Sequence, residues 1–526
     1  MTVTSSLPAA EASGSRRRAR ARGPWWPGGA WWPGGAWWPV LCLVAGLGCT
    51  IGAWILAIAP FGSYDEFDHA FRASGVAHGQ LVAPPTQATR GTGAYVQASQ
   101  DVVDAARSEC LNMPYTHVQD CSSTPDGIPS GAGRYSPVYY AGFGWVGLLV
   151  AGRDGLVVQR VLSALACLSL VGAAARLLLR WPDPGLALRS LVVSASPMLL
   201  FSLALFAPNG LEMAAGTAWW AGLLTLWRVG MSRSALWVCA VSGALLASLR
   251  ALGPLWLAVS AAVVLLLATG LRPQQAWLRR SGMALRVAAI PAAVVAVALV
   301  GGLGWTLTQG SLVIGRDPQV QGGDAAAGWR YAALTAPLKL IQLVTALPGR
   351  GSPPPPLVLA GWLVAFGLLV PAALLRAGGR ARAAWFALLA AVVVIPLGIE
   401  ASTYQTFGAA WQGRYVLPLA VGVLLTAAAI RRGEPRSRQR ALIDSTAIVV
   451  ATATAHAVAL WTTVSFYADH SPTYRSGTWP PVAQPVLVGL VLLGGVLVGA
   501  GLVLAEPRHP QTATGGGQTA TVGRQV

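Results

Sequence analysis

Apolar runs close to a membrane-spanning length recur along the chain, divided by short stretches where arginine, proline and glycine gather. About twenty such residues let a helix cross the ~30 Å hydrocarbon core of a bilayer. The runs lie near 38–59, 156–178, 187–207, 209–228, 234–250, 252–270, 284–305, 355–375, 383–400, 415–430, 443–466 and 482–504. They predict an all-α polytopic membrane protein with about twelve transmembrane helices. Residues 136–151 are apolar but short, and read as an interfacial stretch that does not span. The predicted organisation is a tail at 1–37, a transmembrane domain over 38–504 with long loops at 60–155 and 306–354, and a second tail at 505–526. Both tails have the composition of disordered segments.

Composition supports this class. Of the 526 residues, 54% are hydrophobic and 11% charged, far too apolar for a soluble chain of this size. The net charge of +18 raises the question of nucleic acid, but the basic residues punctuate the apolar runs, so no nucleic-acid partner is expected. Lys339 is the only lysine, and the arginine bias, with abundant Ala, Gly and Pro, suggests a bacterium of high GC content. With a cytoplasmic N-terminus, 24 of the 37 basic residues fall on short inner segments, as the positive-inside rule requires. Counting 136–151 as a span would invert everything downstream. The expected placement is therefore the bacterial plasma membrane, multi-pass, with both termini cytoplasmic and the lipid bilayer as first partner. The stretch "SRRRAR" before the first run reads as a retained signal anchor, because that run is too long for a signal peptide. The tandem WWPGGA unit reads either as an interfacial tryptophan anchor or as a low-complexity expansion without a role.

Acidic residues take the other side: 14 of 19 fall on outer segments or outer helix ends. Irregular polar backbone beside a membrane usually exists for a site, so function is expected in the two outer loops. Cys110 and Cys121 share the first loop, and a structural disulfide is favoured over a metal site, since only His117 lies between them. There is no Walker-type phosphate loop, no D-x-D where a soluble nucleotide-sugar domain would hold its metal, and no inner loop long enough for a catalytic domain. His456 is a lone mid-span polar group, more often packing than a proton relay.

Four polar constellations mark the outer face. In "SYDEFDHAFR", Asp65 is at N-cap spacing for a helix over 66–78 with Asp68 at N3, and Asp65/His69 and Asp68/Arg72 make i,i+4 pairs. The functional alternative is a carboxylate held where a lipid-borne substrate meets water. "GRYSPVYYAGFGW" supplies Pro137, Tyr139 and Tyr140 on an amphipathic interfacial stretch. "APNGLE" puts Asn209 and Glu212 at N-cap and N3 spacing, for which capping is the ordinary account. "WQGRYVLPL" places Gln412, Arg414 and Tyr415 where a span begins; an interfacial arginine snorkels or clamps a lipid phosphate. Arg250, near the outer end of a span, and Arg72 are further cations of this face.

Together these motifs resemble an uncharacterised bacterial family of polytopic membrane proteins grouped with the GT-C glycosyltransferases. The family pattern runs Asp-Glu-x-x-His, then Pro-Pro-x-Tyr-Tyr, an Asn-Pro-Asp-Gly-like turn and a late Gln-x-Arg-Tyr. Here Ser136 replaces the first proline of the second motif, and no Asp separates Asn209 from Gly210. The resemblance covers most of 38–430. It implies a catalytic acid in the first outer loop and a sugar donor on a polyprenyl phosphate, with a glycan, lipid or protein acceptor. On that footing Asp65 is the candidate base. Glu66 would orient the acceptor or, with Asp65, bind a divalent metal ion, the one cofactor considered. His69 would hold the Asp65 carboxylate. Arg72, Tyr139, Tyr140, Asn209, Glu212, Arg250, Gln412, Arg414 and Tyr415 are candidate substrate-binding residues. The competing reading is a non-catalytic transporter of lipid-linked glycan, or an envelope-assembly scaffold; transport needs a polar path through the bilayer, whereas the acids here gather at one surface.

Overall fold

The computed structural model describes residues 37–83, 93–269, 281–312, 324–349, 353–408, 411–433 and 437–506. The tandem WWPGGA unit and nearly all of both tails lie outside the described residues, and so does the disorder expected of them.

Every one of the twelve apolar runs is helical. Among the described residues, eight helices are long and apolar enough to cross a membrane: α1 (Trp38–Ala57), α5 (Gly152–Leu178), the helix from Arg286 to Thr308, Pro356–Leu375, Gly379–Phe407, the segment 413–430, Arg438–His470 and Gln484–Ala505. α6 (Pro184–Ser194) and α7 (Pro197–Ala204) come from one run bent by 70°, and count as a ninth if taken together. The break has a simple cause. Pro197 has no N–H to donate and its ring disfavours helix in the residue before it, while Ser196 caps the new helix by accepting from the Leu199 N–H. The remaining three runs fall short of the expected spans. α8 (Pro208–Arg228) is less apolar because it carries Asn209, Glu212 and Arg228, and α9 (Arg233–Leu249) and α10 (Gly253–Ala268) have only 17 and 16 residues. α8 is an interior helix, buried along nearly its whole length, so its neighbours rather than lipid accept its polar first turns.

Small residues set the closest helix approaches. Gly46 of α1 and Gly494 of the last long helix face each other, and a Cβ on either would run into the other's carbonyl oxygen.

Between α1 and α5 the first loop folds compactly. It contains α2 (Glu66–Ala77), α3 (Gln100–Asn112), a two-stranded antiparallel ribbon pairing β1 (Ala94–Val96) with β2 (Ile128–Ser130), and α4 (Pro137–Phe143). With seven residues, α4 is too short to span, and a 3-10 turn over 144–148 follows it. Cys110 and Cys121 are joined as a disulfide that ties the end of α3 to the next turn. The expected second loop, 306–354, carries among its described residues a 20-residue helix, Ala325–Val344, which lies against Gly379–Phe407 with Tyr331 stacked on Tyr404 at 4.5 Å. We label α11 Ser281–Thr308, α12 Ala325–Val344, α13 Pro356–Leu375, α14 Gly379–Phe407, α15 Leu417–Ile430, α16 Arg438–His470, α17 Pro472–Arg475 and α18 Gln484–Ala505.

Candidate functional site

The site starts where α1 stops. The last carbonyls of a helix have no partner within it, and here they are collected by side chains from elsewhere. Arg160 of α5 donates to the carbonyls of Ile58 (2.6 Å) and Ala59 (3.0 Å), Tyr474 donates to Ala57, and Tyr467 donates to Gly62 (3.0 Å). Held this way, the chain turns through two left-handed non-glycine residues, Phe61 and Asp65, both with φ of 64°. That conformation costs an L-residue roughly 1–2 kcal/mol and persists only where the surroundings dictate it.

The left-handed backbone overturns the capping expectation. Asp65 precedes α2 but its side chain caps nothing, and its own N–H donates to the Tyr115 hydroxyl at 3.1 Å. Its half-exposed carboxylate faces Arg414 at 3.8 Å. Glu66 is corrected too. Fully buried, it grips Arg160 with both oxygens (2.8 and 2.5 Å) and accepts from the Phe206 N–H at 3.0 Å. With both oxygens engaged, it is not free to orient an acceptor or to bind a metal with Asp65, and it holds the arginine that caps α1. Among the described residues, no group of three or more His, Cys, Asp or Glu is arranged to hold a metal ion.

His69 turns away from the role expected of it. Its Nδ1 pairs with the Tyr140 hydroxyl at 2.8 Å, beneath the ring of Tyr135. Burial, above all, pushes its pKa down from 6.5 to about 3; Asp65 pulls it up, and Arg250 and Arg414 push it down. The ring is neutral. The expected Asp68–Arg72 pair gives way to other contacts. Asp68 accepts from the Gly131 N–H (2.9 Å), pinning the ribbon to α2, and Arg72 donates to the carbonyls of Gln80, Leu81 and Tyr135. Arg72 is thereby committed to the loop's own backbone rather than offered to a ligand. Tyr139 also points inward, to Ser163 at 3.0 Å and to the ring of Phe206.

The other expected residues converge. α8 begins at Pro208, so Asn209 and Glu212 lie inside it, not at the expected capping positions. Glu212 pairs with Arg250 at 3.3 Å, and Arg250 lies over the rings of Tyr415 (4.8 Å) and Tyr135 (5.8 Å). Arg414 also lies over Tyr415, at 5.6 Å, and Gln412 donates to the Tyr415 hydroxyl at 3.0 Å. One pocket thus gathers Asp65, Glu212, Arg250, Arg414, Tyr135 and Tyr415, brought by the first loop, α8, α9 and the turn before α15. Its cations sit on aromatic faces and meet their acids loosely. Among the described residues, Asn209 Oδ1, Glu212 Oε1 and Arg414 Nε are buried with no hydrogen-bond partner. Such groups are costly unless something meets them. Chemically, the arrangement offers a basic carboxylate at the rim and two cations behind it.

Three contributors are not among the candidates. Tyr135 lies within the "GRYSPVYYAGFGW" motif, from which only Pro137, Tyr139 and Tyr140 are singled out. Arg160 and Glu400 are hidden in runs that read as spans, yet an ionisable residue inside such a run is itself a signal.

Together the fold and the pocket define a multi-pass membrane protein with a polar, arginine-bearing site at one end of its helix bundle. A sequence model of the family described as "Predicted membrane protein (DUF2142)" matches residues 49–423, and the chain belongs to that family. The match takes in every candidate residue from Asp65 to Tyr415 and ends within α15. A crystal structure of ArnT from Cupriavidus metallidurans in the apo state is similar with a TM-score of 0.41 at 14% identity, covering 88% of this chain and 75% of that one. No curated protein matches the chain.

Proposed function

We propose that the protein is a glycosyltransferase that moves a sugar from a polyprenyl-phosphate carrier to a glycan, lipid or protein acceptor, at the outer face of a bacterial plasma membrane. The observation that carries this reading is the Asp65–Arg414 pair: a half-exposed carboxylate 3.8 Å from a buried guanidinium whose Nε has no hydrogen-bond partner among the described residues. Arg250 stands beside it on the same tyrosine. A sugar hydroxyl is a poor nucleophile at neutral pH. Asp65 takes its proton as the oxygen attacks the anomeric carbon, and the bond from that carbon to the phosphate oxygen breaks with its electron pair going to the phosphate. The departing phosphate needs no acid, because it is already a good leaving group; Arg414 and Arg250 hold its charge. One carboxylate therefore suffices, unlike the pair used by glycoside hydrolases.

The transporter reading has one observation in its favour, the break between α6 and α7. Broken helices line the sites of many transporters. Yet the lone mid-span imidazole, His456 of α16, is buried edge-on against the ring of Trp362 at 5.7 Å, which is the work of packing. The test compares a deletion strain with the wild type. Loss of one envelope sugar together with accumulation of its polyprenyl-linked donor at the outer leaflet is expected, and an Asp65→Asn copy should not restore it. Donor trapped on the cytoplasmic side would favour transport, and no change in either species would sink the transferase reading.

A further inference from the structure

The only lysine in the chain does not serve the pocket directly, yet it stands behind it. Lys339 Nζ donates to the Trp411 carbonyl at 2.5 Å and pairs with Glu400 of α14 at 3.0 Å. One turn on, Gln342 accepts from the Gly413 N–H at 2.8 Å. α12 thus grips the backbone on both sides of Gln412, immediately before Arg414. Gly413 has to be glycine for this approach, because a Cβ there would run into the Lys339 carbonyl oxygen. Glu400 is 2% exposed, and the Lys339 side chain 12%.

A buried ion pair is weak support for stability, since well-packed apolar residues of like volume often do as well or better; where one is kept, fixing a register is its best-attested use. The register at stake here is that of residues 411–416, which has Arg414 facing Asp65 and Tyr415 beneath Arg250. We infer that Lys339, with Gln342 and Glu400, is a positioning residue: it fixes the Gln412–Tyr415 turn so that Arg414 meets the anionic group of the substrate. The inference rests on the proposed lipid-phosphate donor for its ligand, but not for its geometry.

Lys339→Met alone would strand a buried carboxylate and unfold the region, so the informative variant is Lys339→Met with Glu400→Leu, in the full-length protein in detergent. Two readouts separate the questions. The first is binding of farnesyl phosphate by calorimetry. The second is the rate at which phenylglyoxal modifies Arg414, read by peptide mass spectrometry against the exposed Arg440 as an internal reference. The expected result is an unchanged or raised melting temperature, farnesyl phosphate affinity lower by about tenfold or more, and Arg414 modification accelerated toward that of Arg440. A double variant that melts, binds and resists modification like the wild type would overturn the inference. If wild-type protein fails to bind farnesyl phosphate, the carrier reading falls and the modification rate alone decides whether Lys339 sets the position of Arg414.

Discussion

The two ends of the helix bundle hold their arginines in different ways. Away from the pocket, past the C-terminal end of α15, Arg431 meets Asp183 at 2.7 Å. Nearby, Arg189 donates through one terminal nitrogen to Glu506, the Ser445 hydroxyl (3.0 Å) and the Ala441 carbonyl (3.2 Å), while its Nε, like that of Arg414, has no hydrogen-bond partner among the described residues. At the pocket end the acid distances stretch to 3.3 Å for Arg250 and 3.8 Å for Arg414, and tyrosine faces stand where tight partners would. A guanidinium held at short range by carboxylate, hydroxyl and carbonyl oxygens serves to join helices. One resting on aromatic rings and meeting a carboxylate at long range keeps capacity for an incoming anion. Even within the first loop the contrast recurs between neighbours: Glu66 is closed on Arg160, while Asp65 is left open.

Four measurements break or sharpen this comparison. The largest effect belongs to Asp65→Asn, which keeps size and shape but removes basicity. Transfer should slow by roughly 10²–10⁴ with an unchanged melting temperature, and full activity in a well-folded variant would reduce Asp65 to a surface residue. Next comes stability. Glu66→Ala or Glu506→Ala strips the counter-charge from a buried arginine and should cost about 3–5 kcal/mol, whereas Asp65→Ala should cost less than about 1 kcal/mol. Thermal melts in detergent decide it, and an equal loss for Asp65→Ala would erase the distinction.

Third, Arg414→Lys keeps the charge but loses the planar fork, so lipid-phosphate affinity should drop by about tenfold; the same exchange at Arg431 should leave affinity untouched. Smallest and most gradual is the pH response of His69. Its folded pKa of about 3 lies below the unfolded 6.5, so the unfolded chain binds the extra proton first. Stability therefore falls as pH drops from about 6.5 toward 3 and is unaffected by this group above that window. Melting His69→Gln beside the wild type across that range should show a shallower acid slope in the variant; parallel curves would mean that the imidazole is not held neutral.

The helices were legible because lipid imposes long, uniformly apolar runs, and each of the twelve runs is helical in the structure. Length and hydropathy per helix were less so: α8 is polar at its start because protein surrounds it, and α12 hid in a segment that reads as loop because its apolar content is diluted by Arg330 and Lys339. The pocket's membership was partly legible, since the motifs contain Asp65, Glu212, Arg414 and Tyr415, and Arg250 stands out as a cation near a helix end. The local roles failed for a physical reason. Spacing rules describe a helix start in isolation, but Asp65 is set by hydroxyls 50 residues from itself and 405 residues from its neighbour Gly62. Glu66 answers to an arginine 94 residues on. No window along the chain contains those partners.

The family match ends at residue 423, yet the turn carrying Asp65 is tied down by residues beyond that point. Tyr467 and Tyr474 hold the carbonyls of Gly62 and Ala57, and Glu109 of α3 receives the Ser471 hydroxyl (2.7 Å) and the Thr473 N–H (3.0 Å). The terminal helices are therefore not an interchangeable cassette. A chimera that grafts α16–α18 from another member inherits the pocket's shape only if the graft returns two phenol hydroxyls to the same two carbonyls. Exchanging Tyr467 or Tyr474 is in that sense a way of re-aiming Asp65 from outside its own loop.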